Sequence, residues 1–156
     1  MFIKIGDIVG ESKDAKHGGE IDVLSWSWGL SQSGTMHTGG GGGSGKVNVQ
    51  DLTLTKWVDK ASPVLMQYAM TGNQFPTAKL TVRKAGSSPL EYIVMTLADV
   101  ICTSVQTGGS GGEDRLVENV TLNFAKVNLT YKEQAPKGAQ AKAPTVSWDI
   151  KQNVSA

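Results

Sequence analysis

Apolar and polar residues alternate with period two along most of this chain, the pattern of strands buried on one face. Phe2-Ile3-Lys4-Ile5 starts it, and the run Ile21-Asp22-Val23-Leu24-Ser25-Trp26-Ser27-Trp28-Gly29 continues it before a glycine tract interrupts. In an extended strand this run places Leu24, Trp26 and Trp28 on one face and Ser25, Ser27 and Gly29 on the other. One side is bulky and apolar, the other small and polar. Such a polar face suits a surface that lines something wet, although an ordinary half-buried strand has the same pattern.

Further strands are predicted from Val47 to Thr55, from Thr77 to Lys84 with Ala78, Leu80 and Val82 inward, from Glu91 to Leu97, and from Val100 to Thr107. Arg115 to Tyr131 is the longest. Its apolar phase runs Leu116, Val120, Leu122, Phe124 and then slips to Val127, Leu129, Tyr131, which predicts a bulge or a crossing between two sheets. A short strand from Val146 to Ile150 closes the series after the polar loop Glu133 to Pro144. One helix is predicted over 62–72: Ser62 as N-cap, Pro63 at the first helical position, and Gly72-Asn73 as a stop. The expected fold is mainly β, an antiparallel β-barrel of two packed sheets with this short α-helix at its flank.

With 156 residues, one domain over 1–156 is expected, large enough to bury a core without metals or disulfides. A net charge of +1 gives no electrostatic footprint for nucleic acid or an anionic membrane. Cys102 is the lone cysteine, so no disulfide forms within the chain. The N-terminus turns polar at once, so no cleavable signal peptide is expected, and no apolar run is long enough to span a bilayer. The sequons at Asn119, Asn128 and Asn153 then read as chance triplets.

Catalytic chemistry finds few residues to work with. Gly40 to Lys46 matches the spacing of a phosphate-binding loop, but Val47 stands where the Mg²⁺-holding Ser or Thr belongs, and a strand follows where a helix is required. His17 and His37 read as solvated loop residues, and Cys102, inside an apolar strand, as an inert core thiol. Neighbouring Glu113 and Asp114 would point to opposite faces of a strand and share no site. An enzyme remains conceivable only if Glu113, Asp114 or His37 act between subunits. No cofactor or metal is expected.

The segment from Phe2 through Ser12 and His17, the Glu20-to-Gly29 strand, Gly39 to Val47, Lys79 to Gly86 and the stretch Gly108 to Asn123 together resemble the Hcp (haemolysin-coregulated protein) family of type VI secretion systems. The resemblance runs through the whole chain in order. It implies a barrel subunit of a hexameric ring whose copies stack into the inner tube of a contractile injection apparatus. Implied partners are the neighbouring copies, a VgrG-type spike, sheath and baseplate proteins, and small effectors held in the lumen. The chain would be made in the bacterial cytoplasm and exported through the apparatus. Some family members carry a fused C-terminal toxin domain, and none is expected here.

On this reading Ser25, Ser27 and Gly29 face the lumen and contact cargo, while Trp26 and Trp28 fill the core or the subunit seam. Gly39, Gly40, Gly41, Gly42, Gly43, Ser44, Gly45 and Lys46 are candidates for contacts to the next subunit or ring. Gly86 and Ser87, at a barrel-end turn, and Lys151 and Gln152 are candidates for ring stacking. The competing reading is a β-barrel that forms no ring and binds a small ligand in its mouth.

Overall fold

The computed structural model describes residues 1–34, 46–86, 89–134 and 142–156. In chain order β1 spans Phe2–Ile5, β2 Ile21–Ser27, β3 Leu30–Ser31, β4 Asn48–Val49 and β5 Leu52–Trp57. The helix α1 covers Ser62–Thr71, followed by β6 Gln74–Arg83, β7 Glu91–Gly108, β8 Val117–Tyr131, β9 Thr145–Asp149 and β10 Val154–Ser155. Hydrogen bonding passes β8-β5-β2-β1-β6-β7 and returns from β7 to β8, which closes a six-stranded antiparallel barrel. β9 and β10 extend from β8 outside that closure, and β3 pairs with β4 as a separate ribbon.

The barrel strands send alternate side chains inward over most of their length, and β6 buries Leu80, Thr81 and Val82 in succession. Ile3, Ile5, Ile21, Leu52, Leu54, Leu80, Met95, Leu97, Val120 and Leu122 are fully or almost fully buried and form one cluster. Each such side chain contributes about 1.5–3 kcal/mol by leaving water, and no single sheet face could hold them all. Cys102 is among them, and burial pushes its thiol up from its ordinary value, as expected of an inert core cysteine.

The slip expected in the longest strand is present. Phe124 and Ala125 are both buried, and at that point β8 gives up β5, its partner over Leu122 to Val117, for β9 along Lys126 to Thr130. β7 makes the matching adjustment at Asp99, whose φ of 52° is left-handed. That single residue bends the chain without breaking its pairing, so the two strands expected on either side of it are one continuous strand. The reverse holds at Gln50 and Asp51, where one expected strand splits into β4 and β5. β10 was not signalled by the sequence pattern, since two residues are too few to alternate.

The helix is where expected, but Ser62 is not its cap. Ala61 holds the N-cap position and no side chain caps it; Gly72, at φ 69°, closes the other end by donating its N–H to Tyr68 O at 2.9 Å. The Ser62 hydroxyl is used elsewhere. It accepts the Asp59 N–H at 3.0 Å and donates to Glu118 Oε1 at 2.6 Å. Lys56 Nζ reaches the same carboxylate at 2.6 Å, Asp59 Oδ1 at 2.8 Å and Trp57 O at 2.7 Å. Lys56 and Glu118 are both at 0% exposure, in inward positions that the alternation reserves for apolar side chains. Together they tie α1 to β5 and β8.

Candidate functional site

β2 carries a bulge that re-phases its side chains. Ile21 and Val23 point inward; the pairing with β5 then skips from Val23↔Lys56 to Ser25↔Thr55, so Leu24 is extra and stands 38% exposed. Leu24 therefore does not share a face with Trp26 and Trp28, as strict alternation had suggested. Both tryptophans do pack against the core cluster, and the Trp28 indole N–H is buried without a partner.

Beyond the bulge, Ser25 and Ser27 stand on the outer face of the barrel, exposed. The registers extend this face across four strands. One row reads Ser25, Thr55, Asn119, Gln106 over β2, β5, β8 and β7, and the next reads Ser27, Thr53, Thr121, Ser104. Thr55 Oγ1 donates to Asn119 Oδ1 at 2.9 Å within the first row. A third row begins at Asp51, whose carboxylate accepts Asn123 Nδ2 at 2.8 Å and Thr103 Oγ1 at 3.4 Å. Eight short, uncharged, hydrogen-bonding side chains thus tile one sheet face. Such a surface stays wet and offers nothing apolar for a folded protein to stick to.

Of this lattice, sequence reasoning named only Ser25 and Ser27. The threonines and asparagines of β5 and β8 were legible as the polar half of an alternation, yet nothing in the chain says that β2, β5, β8 and β7 lie side by side. Gly29 lies just past β2, partly exposed, and its carbonyl accepts the Gln50 N–H at 2.9 Å. Gly86, Lys151 and Gln152 are exposed at chain turns, and Lys46 is exposed two residues before β4. Gly39, Gly40, Gly41, Gly42, Gly43, Ser44, Gly45, Ser87 and His37 lie outside the described residues.

The remaining chemical candidates separate from this face. Glu113 and Asp114 are exposed in the loop before β8. His17 is not solvated: it is 7% exposed, its ring stacked on Phe2 at 4.4 Å between centroids, with Nδ1 3.0 Å from Glu20 Oε2 and Nε2 3.4 Å from Glu91 Oε1. The Arg83 guanidinium lies over the same Phe2 ring, 5.1 Å from its centroid, and pairs through both nitrogens with Asp14. These contacts clamp the loop between β1 and β2 onto β1, β6 and β7. No chemistry at a bound substrate is needed to explain them.

The Arg83 hydrogen bond and the Lys16 N–H hold the Asp14 carboxyl well below the usual carboxylate range. The Gln152 N–H, helped by Lys126, lowers Asp149 similarly. A carboxyl depressed in the folded state stabilises the fold above its unfolded value, about 3.9, and that contribution fades as pH falls further. The thermal midpoint is therefore expected to stay level from neutral pH down to about pH 5 and to fall below about pH 4. Asp14→Asn should flatten the fall in a melting series across pH; an unchanged slope would remove the clamp from the account.

A closed antiparallel barrel with one flanking helix, an extra edge hairpin and a polar outer face defines the class of fold. The sequence and fold comparisons agree on the family that carries it. A family model described as "Type VI secretion system effector, Hcp" matches residues 2–131. Protein hcp1 of Pseudomonas aeruginosa is 60% identical over 158 residues, spanning 100% of this chain and 98% of the relative. Among solved structures, Hcp1 from Salmonella typhimurium aligns at a TM-score of 0.82 with 40% identity over 99% of this chain and 97% of its own. A structure described as a type six secretion system protein aligns at 0.91 with 30% identity over 99% and 98%. The chain belongs to the Hcp family of type VI secretion systems.

Proposed function

We propose that this chain is the structural subunit of a type VI inner tube: copies close into a hexameric ring, rings stack, and the ring lumen holds small effector proteins during export. The observation that carries this reading is the two-row lattice of Ser25, Ser27, Thr53, Thr55, Ser104, Gln106, Asn119 and Thr121. Turned toward the ring axis, it makes a hydrated wall along which a folded cargo slides while exchanging hydrogen bonds with water. Those eight positions carry no titratable group, and the Asp51 carboxylate in the next row is held by Asn123 Nδ2 and Thr103 Oγ1.

Ser27 sits in the middle of the β2 contribution to this wall. Its replacement by glutamine fills the hydrated layer with a longer side chain and leaves the inward Trp26 untouched. Ser27→Gln is expected to abolish most cargo recovered with the ring in a pull-down, with the oligomer intact by size-exclusion chromatography. Cargo retained at the wild-type level would sink the lumen assignment. Gly39 to Gly45 and Lys46 are proposed to contact the next subunit or ring, and Gly86, Ser87, Lys151 and Gln152 to contribute to stacking, with a VgrG-type spike at the tip and a sheath and baseplate around the tube. A small-ligand module is the less favoured reading, because the barrel interior is occupied by its own side chains, Ile3, Leu52, Leu54, Leu80 and Leu122 among them. The chain acts as scaffold and carrier, exported by the apparatus it builds.

A further inference from the structure

The polar face of β2, β5, β8 and β7 carries one ionisable side chain, in the row beside Ser27. Asp51 immediately precedes β5, in the outward phase that continues as Thr53 and Thr55. The Leu52↔Leu122 register sets it opposite Asn123, whose Nδ2 donates to one carboxylate oxygen at 2.8 Å, while Thr103 Oγ1 donates to the other at 3.4 Å. These neutral donors fix the direction of the carboxylate without cancelling its charge, and each oxygen keeps a lone pair for a further donor. Asp51 is half-buried, and no Lys, Arg or His pairs with it among the described residues.

The opposite end of the face differs. There the outward side chain of β5 is Trp57, with the Arg115 guanidinium 4.5 Å from its ring centroid. Arg115 shares its cleft with the carboxylates of Glu11, Asp22 and Asp59 and with Lys13, so both signs are mixed at that end. Asp51 is the one charge on the face that only neutral groups meet.

We propose that Asp51 selects cargo by charge: with the polar face turned to the lumen, it favours proteins that present lysine or arginine to the wall and rejects acidic ones. The proposal rests on the tube reading above. Rotation about a ring axis brings one such carboxylate from every copy to the same height, on a wall that otherwise offers hydrogen bonds of either sense. Each copy spans four strands of this face, about 19 Å at about 4.8 Å per strand. Successive carboxylates therefore stand more than two Debye lengths of about 8 Å apart and repel one another little. The same screening confines their pull to the cargo surface that touches the wall. An acidic surface at that height meets like charge without a counter-ion, the repulsive element that discrimination needs.

Cytochrome c and its lysine-succinylated form test this, since they offer one small fold in a basic and an acidic state. Sedimentation followed at the haem absorbance separates probe carried by the ring from free probe. Wild-type rings are expected to carry native cytochrome c at low salt, less of it at physiological salt, and none of the succinylated form. Asp51→Asn keeps the size of the side chain and should weaken that binding about tenfold, equal to about 1.4 kcal/mol. Asp51→Lys should carry the succinylated form instead. Asp7→Asn removes an exposed carboxylate from the turn after β1, off this face, and should leave binding unchanged. Native cytochrome c bound equally by wild-type and Asp51→Asn rings, weakened as much by Asp7→Asn, or not carried at all by intact hexamers, would overturn the charge selection and leave the tube reading standing. An unmodified protein that stays monomeric by native mass spectrometry would overturn both.

Discussion

Lys56→Met is expected to lose about 3–5 kcal/mol of folding stability, the range for removing one partner of a buried ion pair. The ammonium lies within 2.6 Å of Glu118 Oε1 and 2.8 Å of Asp59 Oδ1, and Glu118 is at 0% exposure with its second oxygen already lacking a partner. Methionine matches the length of the stem but leaves that carboxylate buried and uncompensated. Adding Glu118→Leu should recover the part of the loss owed to that carboxylate, because an apolar pair of similar volume in such a site is commonly neutral or stabilising, while Asp59 keeps the Ala61 N–H at 3.0 Å. Urea melts of the single and double variants give both values. A single variant within about 1 kcal/mol of the parent would mean that the pair is relaxed or hydrated in solution, since about 1 kcal/mol is the upper end for exposed pairs.

The second large effect is expected at Gly10. A Cβ there would lie 2.6 Å from the Glu20 carbonyl carbon and 2.7 Å from Ile21 Cα, and closer still to the Glu20 carbonyl oxygen. All three are backbone atoms at the entry to β2, so no side chain can swing aside. The chain is this close because Gly10 N–H donates to Gly19 O at 2.7 Å and Ser12 N–H to Glu20 O at 3.0 Å. Gly10→Ala should cost about 1–3 kcal/mol, as overpacking does, and should speed amide exchange at Ser12 and Gly19 before it affects the barrel strands. A cost under about 0.5 kcal/mol, the range of ordinary surface changes, would contradict the tight approach.

The barrel was legible where alternation is clean. Ile3 and Ile5, Leu52 and Leu54, Ala78, Leu80 and Val82, and the slip after Phe124 all sit as the period-two pattern places them. It failed where a charge takes an apolar position. Lys56 follows Leu52 and Leu54 inward, and Glu118 precedes Val120 and Leu122 inward, but neither reads as core because each is buried only by virtue of the other, 62 residues away. Leu116, expected in the inward phase, is exposed just before β8 begins. His17 was misread for a similar reason. Its loop is polar in composition, and burial there depends on Phe2 and Glu91, which only the folded chain brings to it.

The polar face was half visible. Ser25 and Ser27 stand out because tryptophans flank them, whereas Thr53, Thr55, Asn119 and Thr121 are commonplace on any solvent face. Their meaning depends on strand order, which alternation does not encode. The bulge at Leu24 was hidden because Leu24 is itself apolar and fits either phase.

Native mass spectrometry of the purified chain at physiological salt tests the central claim most directly. A ring-forming tube subunit predicts a discrete hexamer, with the polar rows of Ser25 and Ser27 turned to a shared lumen. A clean monomer would contradict it and reduce that face to ordinary solvent-exposed sheet.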